Sequence, residues 1–244
     1  MRLLVTRPEP DALKLQAVLE DMGYEATVEP LLHVSFEGAD RIELDGVQAL
    51  VATSRNALRA LRSTAILPRA RALPLFTVGK ATAAEARAIG FEMVVTGAGT
   101  ARELITHIVS VVDPAAGLIA HLAGETLAVN LQEELAAHGF RVIAWVVYRM
   151  QAATSFAQDV VEQLASGEID GIILLSPRTA SVYAKLVRAH GLAQFVRGLP
   201  HFCLSAAVAR RLEPLGPMAI ITAEEPRLEE VLALIEATAA QSGD

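Results

Sequence analysis

The sequence predicts an α/β protein made of two similar doubly wound domains, each built on a parallel sheet. Two observations support this fold class. Short apolar runs alternate along the chain with amphipathic stretches of roughly ten residues. Segments of the first half also recur, in the same order, in the second half. The chain has 244 residues, which is enough for two domains of about 100–150 residues each.

The elements follow one another regularly from the amino terminus. The apolar run Arg2–Thr6 predicts a buried strand, and residues 11–22 predict a helix that ends at Gly23. The apolar face of this helix is expected to consist of Leu15, Val18, Leu19 and Met22. Further strands are predicted at Glu25–Glu29, Ala49–Ala52, Leu75–Val78 and Met93–Val95. Further helices are predicted at Arg55–Leu61, Ala81–Ile89 and Arg102–Val109. Strands separated by helices in this way indicate parallel sheets covered on both faces.

Three pairs of similar segments indicate that the chain is a duplication. LQAVLEDMGY at residues 15–24 aligns with LQEELAAHGF at residues 131–140, an offset of 116 positions. The corner serines Ser54 and Ser176 are offset by 122 positions, and FTVGKATAAEARAIG at residues 76–90 aligns with FCLSAAVARRLEPLG at an offset of 126. The alternative is the strand–helix–glycine order that any two α/β units share. The constant order and slowly growing offset favour duplication.

The two halves need not be contiguous domains. LLHVSFEG at residues 31–38 and VVYRMQAA at residues 146–153 occupy matched places and are candidates for paired crossover strands. We therefore expect linker strands at about residues 33–38 and 145–151. One discontinuous domain would comprise residues 1–34 and 151–244, and the second would comprise residues 38–145. A ligand is then expected in a cleft between the domains, at the carboxyl ends of the strands.

The composition excludes several classes of function. A formal net charge of −7 argues against a general nucleic-acid binder, which needs a basic face. The single cysteine, Cys203, excludes an internal disulfide or a multi-cysteine metal cluster and predicts a core thiol. MRLLVTRPEPD reaches Arg7 and its prolines too soon for a signal peptide, and no stretch approaches the roughly eighteen apolar residues of a membrane helix. A cytoplasmic protein without nucleic-acid or membrane partners is expected.

The corners TSRNA and SPRTA each place a serine between a strand and a helix. Ser54 and Ser176 are predicted to cap their helices, and Pro177 suits a first helical turn because it lacks the N–H group. The remaining free amides could bind a carboxylate, at roughly 0.3–1 kcal/mol for each helix start. VGKATA and LSAAVA form similar corners of small residues. Ordinary capping is the alternative for any one corner, whereas four facing one crevice suit an elongated polycarboxylate.

Other motifs favour structural roles. GAGTAR at Gly97–Arg102 lacks the third glycine of a dinucleotide fingerprint, and TVGKAT lacks the residues of a P-loop. His121 and Glu125 have no third candidate metal ligand nearby, so His121 is expected to be structural. Asp11 follows Pro10 and is interpreted as a helix cap.

Tyr148 is a candidate general acid. AWVVYRM is interpreted as an apolar strand that ends in this phenol and Arg149 at the proposed crossover. A tyrosine there could protonate a leaving hydroxyl, a step that general acids accelerate by ~10²–10⁴. An amphipathic aromatic at a strand edge is the alternative, and spacing alone favours that alternative.

Several motifs occur in a fixed order along essentially the whole chain. They are LLVTRP, TSRNAL, VGKATA followed by Gly90, LAGE with GFRVIAWVVYR, LLSPRTA, and LSAAVARRL with TAEEPRLEEVL. In this order they resemble the uroporphyrinogen-III synthase family. The resemblance implies two α/β domains joined by a two-stranded linker, with both termini in one domain.

The resemblance also implies a reaction. The linear tetrapyrrole hydroxymethylbilane would be cyclised with loss of water and inversion of its last pyrrole ring, without metal or organic cofactor. The substrate carries eight carboxylates, which the family binds largely through backbone amides, and Tyr148 matches the family's best candidate for a general acid. The implied substrate contacts are Thr6, Arg7, Ser54, Arg55, Asn56, Gly79, Lys80, Ala81, Thr82, Gly124, Ser176, Pro177, Arg178, Thr179, Ser205 and Ala206.

One departure from the family weakens the expected grip on substrate. Many relatives carry arginines in the segment that matches Leu122–Leu131, where this chain has Ala123 and Ala128.

The expected partner is the linear tetrapyrrole, bound by a monomer that contacts the upstream bilane-forming enzyme transiently. The alternative function is a non-catalytic, two-lobed cytosolic protein that binds or senses a small molecule and does not need Tyr148. A nucleotide-dependent enzyme is a third possibility, which the failed phosphate motifs disfavour.

Overall fold

The computed structural model describes residues 1–97, 99–126 and 130–242. Within them the chain divides into two compact units. Unit 1 comprises Met1–His33 and Gln151–Asp244, and unit 2 comprises Val34–Met150. Among the described residues, no helix is both long and apolar enough to cross a bilayer.

Strands and helices alternate along both units. The strands are β1 (Arg2–Val5), β2 (Glu25–Val28), β3 (Leu32–Phe36), β4 (Val47–Ala52), β5 (Leu75–Thr77), β6 (Val94–Thr96), β7 (Leu118–Gly124), β8 (Arg141–Ala152), β9 (Gly171–Leu174), β10 (His201–Cys203) and β11 (Ile220–Thr222). The helices are α1 (Asp11–Asp21), α2 (Arg55–Leu61), α3 (Leu67–Arg71), α4 (Lys80–Ala88), α5 (Ala101–Val111), α6 (Leu131–Ala136), α7 (Gln158–Ser166), α8 (Pro177–Ala189), α9 (Ala193–Val196), α10 (Ala206–Ala209) and α11 (Leu228–Ser242). In the described residues, 3-10 helices span Ala39–Arg41 and Arg210–Leu215.

Unit 1 contains a five-stranded sheet in the order β11-β10-β9-β1-β2, in which all neighbours are parallel. Every residue of β9 is buried, as expected for a central parallel strand covered on both faces. On one face Leu4 packs with residues of α7 and α8, and on the other Leu3 packs with residues of α1 and α11. The carboxyl ends of the strands therefore meet along one edge of this sheet.

Unit 2 contains a six-stranded sheet in the order β3-β8-β7-β4-β5-β6. The strands from β8 to β6 in this order are parallel neighbours. β3 and β8 run antiparallel to each other, as two backbone hydrogen bonds at their ends show. Glu37 N–H donates to Val147 O at 3.1 Å, and Ala153 N–H donates to Leu31 O at 3.0 Å. The chain passes between the units inside these two strands, at His33–Val34 and at Met150–Gln151.

The two sheets share one strand order. The order β6-β5-β4-β7-β8 in unit 2 corresponds to β11-β10-β9-β1-β2 in unit 1. The similar segments found in the sequence occupy equivalent places, because α6 follows β7 as α1 follows β1, and α4 follows β5 as α10 follows β10. The prediction of two similar doubly wound domains is confirmed.

The first helix differs in detail from the prediction. Gly23 follows its end with φ of 84°, as predicted for a left-handed residue. Val18 is 39% exposed and does not belong to the buried face, which instead includes Ala12. Asp11 is not the cap, because α1 begins at this residue and Pro10 precedes it without a side-chain cap. The Asp11 carboxylate instead lies 3.4 Å from Arg7 Nη2.

Candidate functional site

Four predicted site residues lie in one row at the carboxyl edge of the unit 2 sheet. The register is set by three pairs: Gly124 beside Tyr148, Ala52 beside Leu122, and Ala52 beside Thr77. Two residues beyond β4 and β5, the same register brings Ser54 and Gly79 into the row. With about 4.8 Å between strands, the row from Tyr148 to Gly79 spans ~14 Å.

Tyr148 is lodged against Gly124. The β7–β8 register shifts between Ala123 and Gly124, so that an extra residue of β8 precedes Tyr148. A Cβ atom at Gly124 would lie 2.5 Å from Cζ and 2.7 Å from Oη of Tyr148. Only glycine leaves room for the ring in this position, so Gly124 positions the phenol.

The backbone beside Tyr148 is anchored by an ion-pair cluster. Arg149 Nε lies 2.6 Å from Glu37, and its Nη1 lies 3.3 Å from Glu125. The Glu125 N–H donates to Tyr148 O at 3.1 Å. The strand does not end at Tyr148 and Arg149, as the sequence suggested, because β8 continues to Ala152 in the pairing with β3. The phenol is half-buried within a continuous strand.

Ser54 caps α2, as predicted. Its Oγ accepts a hydrogen bond from Asn56 N–H at 3.2 Å, and Asn56 Oδ1 accepts one from Arg59 Nη1 at 3.0 Å. Arg55 is half-buried at the first helical position. The Ser54 oxygen is therefore engaged in starting the helix, and the Asn56 oxygen is engaged with Arg59 one turn further on.

The Gly79 corner opens on a cavity of about 700 Å³. The first helical bond runs from Ala83 N–H to Gly79 O at 3.0 Å, so the N–H groups of Lys80, Ala81 and Thr82 precede the helical ladder. Lys80 and Ala81 are exposed, whereas the Thr82 side chain is buried. The cavity is lined by Gly79, Lys80, Ala83, Arg87, Thr96, Gly97 and Gly99.

Sequence reasoning missed Arg87 and Thr96, which line this cavity. Arg87 follows Lys80 by seven residues, or about two helical turns, and so shares its face of α4. This seven-residue spacing was the signal in the sequence that could have identified Arg87. Together with the amides at the start of α4, the two cations suit a carboxylate.

The corresponding corners of unit 1 follow β9 and β10. Leu174 pairs with Cys203, so Ser176 and Ser205, each two residues further on, lie in one row at the carboxyl edge of that sheet. Ser176 Oγ accepts from Thr179 N–H at 3.0 Å, and Pro177 is the first residue of α8, which confirms both predictions. Ser205 makes no side-chain cap bond, and α10 has only four residues.

The remaining predicted contacts of unit 1 differ in exposure. Thr6 is 1% exposed, and its Oγ1 donates to Ile173 O at 2.7 Å, which ties β1 to β9. Thr179 is also buried, with its Oγ1 at 2.8 Å from Ser176 Oγ. Arg178, Pro177 and Ala206 are exposed. Arg7 is half-buried beside Asp11.

His121 and Cys203, two other residues that the sequence analysis considered, are buried in the core. His121 is 1% exposed in β7, neither ring nitrogen has a hydrogen-bond partner among the described residues, and burial lowers its pKa to about 4. Within the described part of the chain, no three His, Cys, Asp or Glu side chains are grouped as metal ligands would be. Cys203 is fully buried, and burial raises its pKa to about 12, which confirms the predicted core thiol.

The positions that depart from the family's arginines are only partly described. Ala123 is buried in β7, immediately before Gly124. Ala128 lies outside the described residues.

Comparison with known proteins identifies similar sequences and folds. The family model described as uroporphyrinogen-III synthase HemD matches residues 14–233. The uroporphyrinogen-III synthetase structure from Helicobacter pylori has a TM-score of 0.63 at 16% identity, covering 97% of this chain and 98% of that chain. A mutant uroporphyrinogen III synthase structure from Thermus thermophilus has a TM-score of 0.58 at 16% identity, covering 99% of both chains. No curated protein sequence matches. The two structural matches agree with the two-domain α/β fold described above.

Proposed function

Because the chain belongs to the uroporphyrinogen-III synthase family, we propose that Tyr148 and the helix starts of its two units carry out the family's reaction. The chain is an enzyme of haem biosynthesis, a cyclising lyase, and its substrate is a tetrapyrrole. It closes hydroxymethylbilane to uroporphyrinogen III with inversion of ring D and loss of water. The assignment of this chemistry to particular residues is the proposal.

Tyr148 is the proposed general acid. The observation that carries this assignment is the half-buried phenol, held beside Gly124 in the row that also contains Ser54. When the carbon–oxygen bond of the hydroxymethyl group breaks, its electrons remain on oxygen, and the phenol proton completes the departing water. General acids placed in this way accelerate such steps by ~10²–10⁴.

The helix starts bind the carboxylates. The helix starts at Gly79 and Ser176 each follow a buried parallel strand, β5 and β9 respectively. Both expose residues of their first turn at the edge of a sheet. In unit 2 the cavity beside Gly79 adds the cations of Lys80 and Arg87. Because the bilane also closes by itself to the uninverted isomer, the main task is to hold it in the productive geometry.

Three finer statements belong to the same proposal. The chain acts as a monomer in the cytoplasm, and it receives its substrate through a transient contact with the upstream bilane-forming enzyme. The residues Thr6 and Thr179 act through the backbone they hold, because their side chains are buried and already hydrogen-bonded.

An isomer assay tests the function. Hydroxymethylbilane is generated in place by its upstream enzyme, and the uroporphyrin isomers are resolved after oxidation. Excess type III isomer is the expected result, whereas type I alone would favour the binding or sensing alternative.

Tyr148→Phe tests the general acid. We expect turnover to fall by ~10²–10⁴ with little change in the free energy of unfolding, because only a hydroxyl is removed from a half-buried ring. Tyr24→Phe is the matched control, since Tyr24 is also half-buried but lies in unit 1, at the amino-terminal side of β2. Unchanged kinetics in Tyr148→Phe would remove the assigned role.

A further inference from the structure

A groove of about 680 Å³ lies on unit 1, between α8 and the 3-10 helix Arg210–Leu215. Among the described residues, four cationic side chains line it, and we call it the basic groove: Lys185, Arg188, Arg210 and Arg211. Glu213 is the one carboxylate in its described lining. A local charge of +3 is notable in a chain whose net charge is −7.

The cations of the basic groove lack counter-ions from the described part of the chain. None of the four has a side-chain partner within the described ranges, and neither has Glu213. Other arginines on the surface differ, since Arg2 pairs with Glu25 at 2.6 Å and Arg69 pairs with Asp45 at 2.6 Å. Exposed like charges gathered in this way favour the binding of an anion.

The shape of the basic groove suits an extended ligand. Ser181, Lys185 and Arg188 follow one another at intervals of four and three residues, which places them on one face of α8. Ala184 and Ala189 add little bulk to the lining. At 1.5 Å per residue, the groove begins ~8 Å along α8 from the Ser176 corner and reaches ~18 Å from it at Arg188.

We propose that the basic groove is an accessory anion-binding site that takes carboxylate groups of the tetrapyrrole. This inference rests on the proposed function, but the site is separate from the residues assigned there. A polycarboxylate approaching a chain of charge −7 is repelled, and the cations of the basic groove, of which Lys185 lies ~14 Å along α8 from Ser176, raise its local concentration. Since the Debye length is ~10 Å at 0.1 M salt, the groove acts over its own length and loses its effect as salt rises.

A thiol introduced in the groove reports binding locally. Ala189→Cys places a thiol on the exposed lining, and the native Cys203 stays silent because it is buried and its pKa is raised to about 12. The probe is uroporphyrin I, a stable octacarboxylate, and the readout is the rate of maleimide labelling. When uroporphyrin I is present at ten times its dissociation constant, we expect the rate of labelling at position 189 to fall by about tenfold at low salt. The rate should return to its unprotected value at high salt. Ala165→Cys, on the exposed face of α7, is expected to label at an unchanged rate.

A matched charge variant tests the cause. Neutralising the groove by Lys185→Gln, Arg188→Gln, Arg210→Gln and Arg211→Gln should abolish protection at position 189. The control removes one lysine and three arginines that are exposed and have no side-chain partner in the described residues: Lys14→Gln, Arg41→Gln, Arg141→Gln and Arg197→Gln. The control should keep the protection. Three results would overturn the proposal. Position 189 is not protected from labelling; both charge variants lose this protection equally; or position 165 is protected as strongly as position 189.

Three further outcomes separate the possible explanations. If inorganic phosphate at the same concentration protects position 189 as strongly as uroporphyrin I, the groove takes phosphate and the tetrapyrrole assignment is wrong. If the protein makes type III isomer but position 189 is not protected, the proposal of an anion site in the basic groove is wrong and the proposed function stands. A protein that is protected at position 189 but yields only type I isomer overturns the proposed function alone.

Discussion

Gly124→Ala should displace the phenol of Tyr148 without removing it. The added Cβ would lie 2.5 Å from Cζ and 2.7 Å from Oη, whereas ordinary contacts are 3.4–4 Å. The ring must therefore retreat by about 1 Å. The backbone of Gly124 is not in the left-handed region, so alanine is compatible with it and the perturbation falls on the ring.

Gly124→Ala should lower the turnover while leaving the protein folded. A displacement of about 1 Å in a catalytic group costs up to ~10²-fold in rate, because proton transfer requires the donor at hydrogen-bond distance. The crowding costs about 1–3 kcal/mol of folding free energy, and replacing glycine in a strand returns about 0.5–1 kcal/mol. We therefore expect a folded protein with a turnover one to two orders of magnitude lower.

Turnover and isomer ratio are measured in the coupled assay, and the free energy of unfolding by urea titration. Gly198→Ala is the matched control, because a Cβ at Gly198 would meet no atom of the described residues within 4 Å and its backbone is not left-handed. Its turnover should equal that of the parent protein. Gly124→Ala combined with Tyr148→Phe should lose no more activity than Tyr148→Phe alone.

Two results would refute this reasoning. Gly124→Ala with normal turnover would show that the position of the phenol does not limit the reaction. Additive losses in the double variant would show that Gly124 acts by a route other than Tyr148.

Two further predictions concern stability. The pKa of His121 falls from 6.5 to about 4 on folding, so the unfolded chain binds a proton that the folded chain rejects, and stability should decrease by up to about 3 kcal/mol as pH falls from 6.5 to 4. His121→Leu should show a shallower decrease in pH-dependent urea unfolding, and coinciding profiles would contradict this. Ser176→Ala should cost about 1 kcal/mol because Ser176 Oγ accepts the Thr179 N–H, whereas Ser205→Ala should cost close to nothing. Equal losses in thermal unfolding would argue against the cap.

The elements and their order were predictable from the sequence because they depend on neighbours along the chain. Apolar periodicity and cap residues located α2 at Arg55–Leu61, where the structure has it, and placed the start of α8 after Ser176. Repeated segments predicted two similar sheets, and their shared strand order confirms this. The motif resemblance to the family is likewise confirmed by the match over residues 14–233.

Features that depend on pairing between distant residues were not predictable in the same way. β8 continues beyond Tyr148 because β3, more than a hundred positions earlier, pairs with it. The register shift at Gly124, which leaves space for the phenol, is likewise a property of two strands together. The hydrogen bond from the Thr6 hydroxyl to Ile173 O likewise joins two residues that are far apart in the chain.

The sequence by itself determined the fold class, the strand-to-helix corners and the family, because these follow from local periodicity and motif order. Only the tertiary structure decided which side chains at those corners are buried and which residues share a row across a sheet. It also decided that α8 and the 3-10 helix after α10 gather four cations into one groove. The physical reason is that inter-strand register and helix packing are set by hydrogen bonds and contacts between residues far apart in the chain, which no local pattern encodes.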